Sequence, residues 1–327
     1  MSTKKEQIHS FDQHRISVLI PVYNSAESIS TLVDTVIETL APLASLWEII
    51  LVNDGSVDNS HKVVLSIVDR YPKIVKYINL MRNFGEHNAV MCGLQYVTGD
   101  SVTIIDDDFQ NPPREILKMV RRLMEGYDVV YSYYDEKQHS FFRNLGSAFN
   151  DIVAALLLKK PRNLYLSSFK TIDVALIKLI VQYKGPYPYI DGLILRSTER
   201  IGMQLCHHED RKTGSSNYTL RKLVRLWLNM FTGFSILPLR LTSYLGILVS
   251  FCSLLLALYF FLARAFGPIF TNQEIPIGWA STIVAITSLA GLQLIMLGMI
   301  GEYLGRLFLT MSGTPQFLVR KTYQTGE

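Results

Sequence analysis

The chain has 327 residues, of which 49% are hydrophobic, and its formal net charge at pH 7 is +4. The charge is mild and no basic block with interleaved aromatic residues occurs, which argues against a nucleic-acid-binding protein. Three cysteines, Cys92, Cys206 and Cys252, lie far apart without CxxC spacing, which argues against a disulfide framework or a zinc site and fits a reducing compartment.

Alternating strands and helices are predicted after a polar N-terminal tail, residues 1–14, which lacks the apolar core of a signal peptide. Apolar runs predict strands at 15–24, 47–56, 75–85 and 101–108, and helical spacing predicts helices at 27–43, 57–72, 86–100 and 112–127. This βαβαβαβ order predicts an α/β domain, assigned to residues 15–215, with a parallel sheet and helices on both of its faces.

Polar residues follow the predicted strands at the points where the strands end. They are Tyr23, Asn24, Asn53, Asp54, Ser56, Arg82, Asn83 and residues 106–110. Open parallel sheets bind ligands beyond the carboxyl ends of their strands, so these residues form the candidate site. No GxGxxG or GxxxxGK[ST] sequence follows a strand, which argues against a Rossmann dinucleotide site or a P-loop.

Three consecutive aspartates, Asp106, Asp107 and Asp108, end the fourth predicted strand. Strand alternation would send Asp106 and Asp108 to one side, where the two carboxylates repel unless a cation joins them. A divalent ion with oxygen ligands resolves this conflict, and Gln110 adds a neutral amide oxygen. The sequence therefore predicts a Mg²⁺ or Mn²⁺ site, and the alternative is an acidic loop that caps the next helix.

Two uncharged segments, 241–263 and 279–301, are each long enough to span a bilayer, although a pair of buried core helices is the alternative. The basic residues lie before the first segment and after the second, and the connection 264–278 has only Arg264. The positive-inside rule then predicts a multi-pass protein of the plasma membrane with the connection outside and both termini, including the tail 302–327, in the cytoplasm.

Residues 216–240, which precede the first predicted span, have apolar side chains at helical spacing and basic residues elsewhere on the helical wheel. This pattern predicts amphipathic helices lying in the cytoplasmic interface of the bilayer, with an ordinary core-facing helix as the alternative.

Several motifs together resemble the GT-A-fold, inverting nucleotide-sugar glycosyltransferases, and more narrowly the polyprenyl-phosphate glycosyltransferases, which include dolichol-phosphate mannose synthase and the bacterial undecaprenyl-phosphate sugar transferases. The motifs are PVYN (21–24), NDGS (53–56), RNFGEHNAV (82–90), TGD (98–100), DDDFQNPP (106–113), EGYDVV (125–130), RKTGSSNY (211–218) and GEYLGR (301–306). The resemblance covers nearly the whole chain after residue 14. It implies a GT-A-type, mostly parallel sheet followed by amphipathic interfacial helices and two transmembrane helices.

The resemblance also implies a reaction, the transfer of one sugar from a UDP-sugar or related donor to a lipid phosphate at the cytoplasmic face. Pro21, Tyr23 and Asp54 are implied to hold the base and ribose, and Asn24 is implied to be a further substrate-binding residue. Asp106 is implied to lie against the nucleotide-sugar, and Asp108 and Gln110 to bind the metal. Arg143 and Ser147 are implied to meet the acceptor phosphate, and Arg211 and Lys212 to close over the diphosphate. The alternatives are a solvated or capping role for Arg143 and membrane-surface charges for the last two.

The chain departs at several positions from the pattern of the family that it resembles. Ser25 stands where many carry an acid, no Asp occurs in 164–170, and Tyr134 stands where an arginine is common. A lipid monophosphate is mostly dianionic near neutral pH, because its second pKa is roughly 6, and needs no strong general base. We therefore interpret the departures as marks of a different donor sugar. Residues 187–191 are interpreted either as part of the sugar pocket, through Tyr187, Tyr189 and Asp191, or as a structural turn.

Two other functions remain open from the sequence. A processive polysaccharide synthase of the same fold would carry a QxxRW sequence, but none of Trp47, Trp227 and Trp279 follows an arginine, and two spans are few for a polymer channel. A non-catalytic membrane scaffold that binds nucleotide-sugar or lipid is favoured by the lost acids and opposed by the intact Asp106, Asp108 and Gln110. Paired membrane anchors are compatible with a homo-oligomer.

Overall fold

The computed structural model describes residues 13–43, 46–134, 161, 164–207 and 278–324, together with parts of 239–262. The chain divides into two compact units, one formed by Met1–Leu223 with Gly313–Glu327 and the other by Val224–Ser312.

A sheet of eight strands forms the centre of the first unit. The strands are β1 (Ile16–Val22), β2 (Trp47–Asn53), β3 (Val75–Leu80), β4 (Ser101–Ile104), β5 (Val129–Tyr133), β6 (Lys170–Asp173), β7 (Ile201–Leu205) and β8 (Val319–Tyr323). Their order across the sheet is β7-β5-β6-β4-β1-β2-β3-β8. The pairs β1–β2, β1–β4, β2–β3 and β5–β7 are parallel, whereas β6 and β8 are antiparallel to their neighbours. The predicted, mostly parallel α/β sheet is confirmed.

Helices cover both faces of this sheet. They are α1 (Ile29–Leu40), α2 (Ser60–Arg70), α3 (Glu86–Leu94), α4 (Ile116–Met124, after a 3₁₀ turn at Pro113–Glu115), α5 (Val174–Ile180) and α6 (Ile190–Ser197). Alternate β1 side chains such as Val18 and Ile20 share one core with α1, α2 and α4. The opposite face carries Leu19 and Val52, and α3 packs there so closely that a Cβ at Gly93 would lie 2.2 Å from Leu19 Cδ1.

The fourth strand is shorter than predicted. We predicted a strand through Asp108, but β4 ends at Ile104 and the aspartates form a turn. The turn includes Phe109, whose φ of +61° is a left-handed conformation that bulky residues rarely adopt and that lies outside the range of regular strands. The ring of Phe109 packs against the core, which offsets this strain. Strand alternation therefore does not set the directions of Asp106, Asp107 and Asp108.

A long apolar helix, α7 (Trp279–Met311), belongs to the second unit and extends beyond the predicted span 279–301. Within the described residues, one stretch, Leu289–Met311, is long and apolar enough to cross a membrane, with a mean hydropathy of 1.4. Only part of the first predicted span, 241–263, is described, and those residues are helical. Most of 216–240 and of the connection 264–278 lies outside the described residues.

The segment after α7 returns to the sheet. We predicted residues 302–327 as a tail, but β8 pairs with β3 through the register Tyr77↔Tyr323 to Leu80↔Val319. The rings of Tyr77 and Tyr323 stack at 5.2 Å between centroids. The α/β unit thus includes residues beyond the predicted boundary at 215. The sequence of β8, VRKTY, has three polar residues among five and no clear apolar alternation, which is why the strand was not predicted.

Candidate active site

One edge of the sheet collects the candidate residues. The carboxyl ends of the parallel strands β1 to β4 meet at this edge. Because β6 and β8 run in the opposite direction, their first residues lie at the same edge, with Lys170 opposite Ile104 and Val319 opposite Leu80. The site is therefore built from strand ends of the N-terminal half and from strand starts that come much later in the chain.

The loop after β1 is tied to the loop after β2. Pro21 is buried within β1, whereas the Tyr23 side chain is 43% exposed. Asn24 has a φ of +55°, which asparagine tolerates better than most residues. Its backbone N–H donates to Ser56 Oγ at 3.0 Å, and its Oδ1 accepts from the backbone N–H of Val57 at 2.9 Å. The two loops therefore keep a fixed relative position beside the exposed Tyr23 ring.

Asp54, directly after β2, is buried and held by backbone groups. Its carboxylate accepts from the backbone N–H of Phe84 at 2.7 Å and of Gly85 at 2.9 Å, just before α3. Burial raises the pKa of Asp54 to about 6, and these two hydrogen bonds lower it by less than burial raises it. The next residue, Gly55, has a φ of +65°, and a Cβ there would lie 2.4 Å from the carbonyl carbon of Arg82. Only glycine allows the loops after β2 and β3 to approach this closely.

Asp107 is directed towards the loop after β1. It accepts a hydrogen bond from the backbone N–H of Tyr23 at 3.2 Å and another from the Ser25 hydroxyl. An acid in place of Ser25 would set a second carboxylate against Asp107. The Ser25 hydroxyl, which stands where the resemblance led us to expect an acid, instead donates a hydrogen bond to Asp107. Burial raises the pKa of Asp107 above its ordinary value. Asp107 thus organises the loop that carries Tyr23.

Asp106 and Asp108 have different partners from Asp107. The Ser168 hydroxyl, which lies just before β6, donates to Asp106, and Asp108 Oδ1 accepts from the backbone N–H of Gln110 at 3.1 Å. Burial raises the pKa of Asp106 to about 7, and the negative charge of Glu86 adds to the shift. Ser168 was not predicted from the sequence as a site residue.

The donor set at this turn fits a hard divalent cation. Asp106, Asp108 and Gln110 are partly exposed and offer carboxylate and amide oxygens, the ligands that Mg²⁺ and Mn²⁺ prefer. Among the described residues, no group of three or more His, Cys, Asp or Glu side chains is arranged to hold a metal ion. Mg²⁺ sites of this kind use one or two carboxylates and complete the coordination with substrate phosphates and water.

A buried ion pair lies beside the aspartates. Lys170 contacts Asp191, and the Tyr131 hydroxyl donates to Asp191 Oδ1 at 2.9 Å. The edge of the Tyr189 ring contacts His87 at 5.1 Å between centroids, and burial lowers the pKa of His87. Because Asp191 is engaged by Lys170 and Tyr131, these contacts favour a structural role for Asp191 over a place in the sugar pocket.

Neutral hydroxyl groups surround Tyr134. Its hydroxyl donates to Asn111 Oδ1 at 2.5 Å and contacts the hydroxyls of Ser132 at 3.0 Å and Ser167 at 3.3 Å. Tyr165 packs edge-on against the Tyr134 ring at 6.0 Å. Where an arginine was expected from the resemblance, the chain therefore has an uncharged network that fixes the end of the aspartate turn.

Four of the residues singled out from the sequence, Arg143, Ser147, Arg211 and Lys212, lie outside the described residues. Their assignments to the acceptor phosphate and the diphosphate stay predictions. The residues brought together at the described edge are Pro21, Tyr23, Asn24, Asp54, Asp106, Asp108 and Gln110.

A comparison with protein families finds that residues 17–179 match the model of glycosyl transferase family 2. Among curated proteins, the chain is 31% identical over 315 residues to undecaprenyl-phosphate 4-deoxy-4-formamido-L-arabinose transferase of Pectobacterium carotovorum, which covers 95% of the chain and 94% of that relative. It is also 34% identical over 309 residues to an uncharacterized glycosyltransferase of Synechocystis, with 93% and 94% of the two chains covered.

Solved structures show the same fold at low sequence identity. Glucosyl-3-phosphoglycerate synthase of Mycobacterium tuberculosis in complex with Mn²⁺, UDP and glucosyl-3-phosphoglycerate superposes with a TM-score of 0.52 and 18% identity, covering 70% of this chain and 81% of that one. The complex of the same enzyme with Mg²⁺ and UDP gives a TM-score of 0.51 and 18% identity, covering 70% and 80%.

Proposed function

Because the chain belongs to glycosyl transferase family 2 and, within it, to the polyprenyl-phosphate glycosyltransferases, we propose that it moves one sugar from a UDP-sugar or related donor to undecaprenyl-type polyprenyl phosphate. The resemblance inferred from the motifs is confirmed, and the chain is a glycosyltransferase. The observation that carries the proposal is the likeness to undecaprenyl-phosphate sugar transferases over 95% of the chain, combined with the acidic turn at the sheet edge.

The nucleotide half of the donor is assigned to the loops after β1 and β2. Tyr23 presents an exposed ring on which a base can stack, and Asp54 presents a buried carboxyl group suited to hydroxyl or N–H donors of the nucleoside. Asp107 holds the Tyr23 loop in place. Asp106, restrained by Ser168, is assigned to the sugar-diphosphate.

Asp108 and Gln110 would hold a Mg²⁺ or Mn²⁺ ion together with the phosphates of the donor. When bound, such an ion neutralises the charge of the departing diphosphate. Arg211 and Lys212 are assigned to the same charge. The metal site is then completed by substrate, so nucleotide and metal are expected to bind cooperatively.

The acceptor side needs orientation more than a strong base. The lipid phosphate is already anionic near neutral pH, because its second pKa is roughly 6. Arg143 and Ser147 are assigned to that phosphate, and attack on the anomeric carbon from the side opposite the leaving group would invert its configuration. Holding the two anions close together would supply much of the rate.

The setting is proposed to be the cytoplasmic face of the plasma membrane, with two spans, at 241–263 and within α7. The candidate span Leu289–Met311 supports the second anchor. The first anchor and the interfacial helices at 216–240 rest on the hydropathy and charge of the sequence.

The test is turnover of a panel of nucleotide-sugars by the full-length protein with undecaprenyl phosphate and Mn²⁺ or Mg²⁺. One sugar per lipid with one donor, lost upon chelation of the metal, is the expected result. A polymer would instead indicate a processive synthase, and nucleotide binding without any product would indicate a scaffold. Either result would overturn the proposal.

A further inference from the structure

The segment Gln316–Arg320, which follows α7 and leads into β8, contacts two loops at the site edge. The Gln316 side-chain amide donates to the carbonyl oxygens of Tyr183 and Gly185, each at 2.8 Å. These residues belong to the loop between α5 and α6, which continues to Tyr189. One side chain therefore fixes where the segment crosses this loop.

The same segment holds the residue that begins the loop after β3. The backbone N–H of Met81 donates to the Leu318 carbonyl oxygen at 2.9 Å, and the Arg320 guanidinium donates to the Met81 carbonyl oxygen at 3.1 Å. Both backbone polar groups of Met81 are thus bonded to the segment. These two hydrogen bonds restrain the backbone of Met81 on both its N–H and its C=O side.

The loop that starts at Met81 ends on the carboxyl group of Asp54. Three and four residues after Met81, the N–H groups of Phe84 and Gly85 donate to Asp54, and residues 82–83 press against Gly55. The Arg82 guanidinium lies over the Phe84 ring at 4.7 Å, which stiffens the loop between these two anchor points.

We propose that Gln316–Arg320 is a positioning element of the donor site: it fixes Met81, and through the loop 81–85 it sets the orientation of Asp54. The role of Asp54 in donor binding rests on the proposed function, whereas the mechanical link from Gln316 to Phe84 and Gly85 does not. Its effect is transmitted through the backbone hydrogen bonds of Met81, Phe84 and Gly85.

The experiment compares Gln316→Ala, Arg320→Ala and a control in β8, Thr322→Ala, all in the full-length protein in detergent. Thr322 is exposed and pairs with Ile78 through its backbone, which the substitution leaves intact. Gln316→Glu preserves the side-chain volume but replaces the donor by an acceptor, and it serves if Gln316→Ala does not fold.

Two readouts are measured, the hydrogen-exchange rate of the Phe84 and Gly85 amides and the Kd for UDP in the presence of Mn²⁺. We expect exchange about tenfold faster and a Kd for UDP raised about three- to tenfold in Gln316→Ala and Arg320→Ala, since each loses one or two hydrogen bonds. Thr322→Ala is expected to match the wild type, and the KM for the lipid acceptor to be unchanged in all variants.

Wild-type exchange rates at Phe84 and Gly85 in both variants would overturn the positioning role, whatever the enzyme does with UDP. Faster exchange without any change in the Kd for UDP would overturn the link to donor binding. If the wild type turns over no nucleotide-sugar of the panel described above, the proposed function fails, and the exchange rates still decide whether the segment orders the loop that holds Asp54.

Discussion

The two halves of the site edge differ in the hydrogen bonds that predominate around their key side chains, although Asp107 and Asp108 also accept from the backbone N–H groups of Tyr23 and Gln110. In the half formed by the loops after β1, β2 and β3, backbone N–H groups hold the key side chains, as at Asp54 and Asn24. In the half formed around β4, β5 and β6, side chains hold one another, as in the pairs Ser168–Asp106, Tyr134–Asn111 and Lys170–Asp191.

This difference has a consequence for what each half can recognise. Backbone donors remain in place whatever residues the loops carry, so the first half suits the part of the donor that related enzymes share. Side-chain pairs change with single substitutions, so the second half suits the part in which donors differ. The departures at Tyr134 and within 164–170 lie in the second half, which agrees with a donor sugar specific to this chain, whereas the departure at Ser25 lies in the first half and bonds to Asp107.

The largest effect is expected from Asp108→Ala. Removal of the carboxylate should lower kcat/KM by about a thousandfold, since charge neutralisation by a metal is worth several kcal/mol, while the melting temperature stays near that of the wild type. Asp107→Asn is the matched control: it should retain the metal dependence of turnover. Full activity of Asp108→Ala would end the assignment of the metal site to this turn.

Within the second half, we expect the buried Lys170–Asp191 ion pair to have the largest effect on the stability of the protein. Asp191→Asn leaves Lys170 buried without its charged partner, and we expect a loss of about 3 to 5 kcal/mol in the free energy of unfolding. The control is Asp34→Asn, which breaks the solvent-exposed pair with Arg70 and should cost at most about 1 kcal/mol. Equal losses in denaturant titrations of the two variants would contradict the difference in burial.

In the first half, Asp54 should make stability depend on pH. Its pKa rises from 3.8 in the unfolded chain to about 6 in the folded protein, so the folded state binds the proton more tightly. The resulting stabilisation is complete below the unfolded pKa and is lost as the pH rises through about 6, a change of about 2 to 3 kcal/mol.

The measurement is the difference in unfolding free energy between the wild type and Asp54→Asn across this range of pH. The wild type should lose stability relative to the variant as the pH increases. A constant difference would show that burial does not perturb this carboxyl group.

The smallest effect is expected at Ser168. Loss of its hydroxyl in Ser168→Ala removes one hydrogen bond from Asp106, which should lower kcat about tenfold and the free energy of unfolding by about 1 kcal/mol. Ser66→Ala, on the exposed side of α2, removes a hydroxyl that bonds to the Val63 carbonyl oxygen and should leave kcat unchanged. Similar kcat values in the two serine variants would indicate that the orientation of Asp106 does not depend on Ser168.

The first half of the site edge could be predicted from the sequence more fully than the second half. Strands β1 to β3 are mostly apolar, buried runs and helices α1, α2 and α4 have clear apolar periodicity, and the polar residues at the strand ends were expected to meet. β6 was not predicted, because it has four residues and one of them, Lys170, is a buried charge. Ser168 is 62 positions from Asp106 in the chain, and only the antiparallel insertion of β6 beside β4 brings the two together.

The place of β8 in the chain also affects how the protein is made. A ribosome produces α7 before it produces Val319, so β3 has no neighbour on its outer side until the candidate span has been synthesised. An unpaired strand edge invites association with other chains. Translation that stalls between Met311 and Val319 should therefore yield a product that is prone to aggregate although most of its sheet can already form.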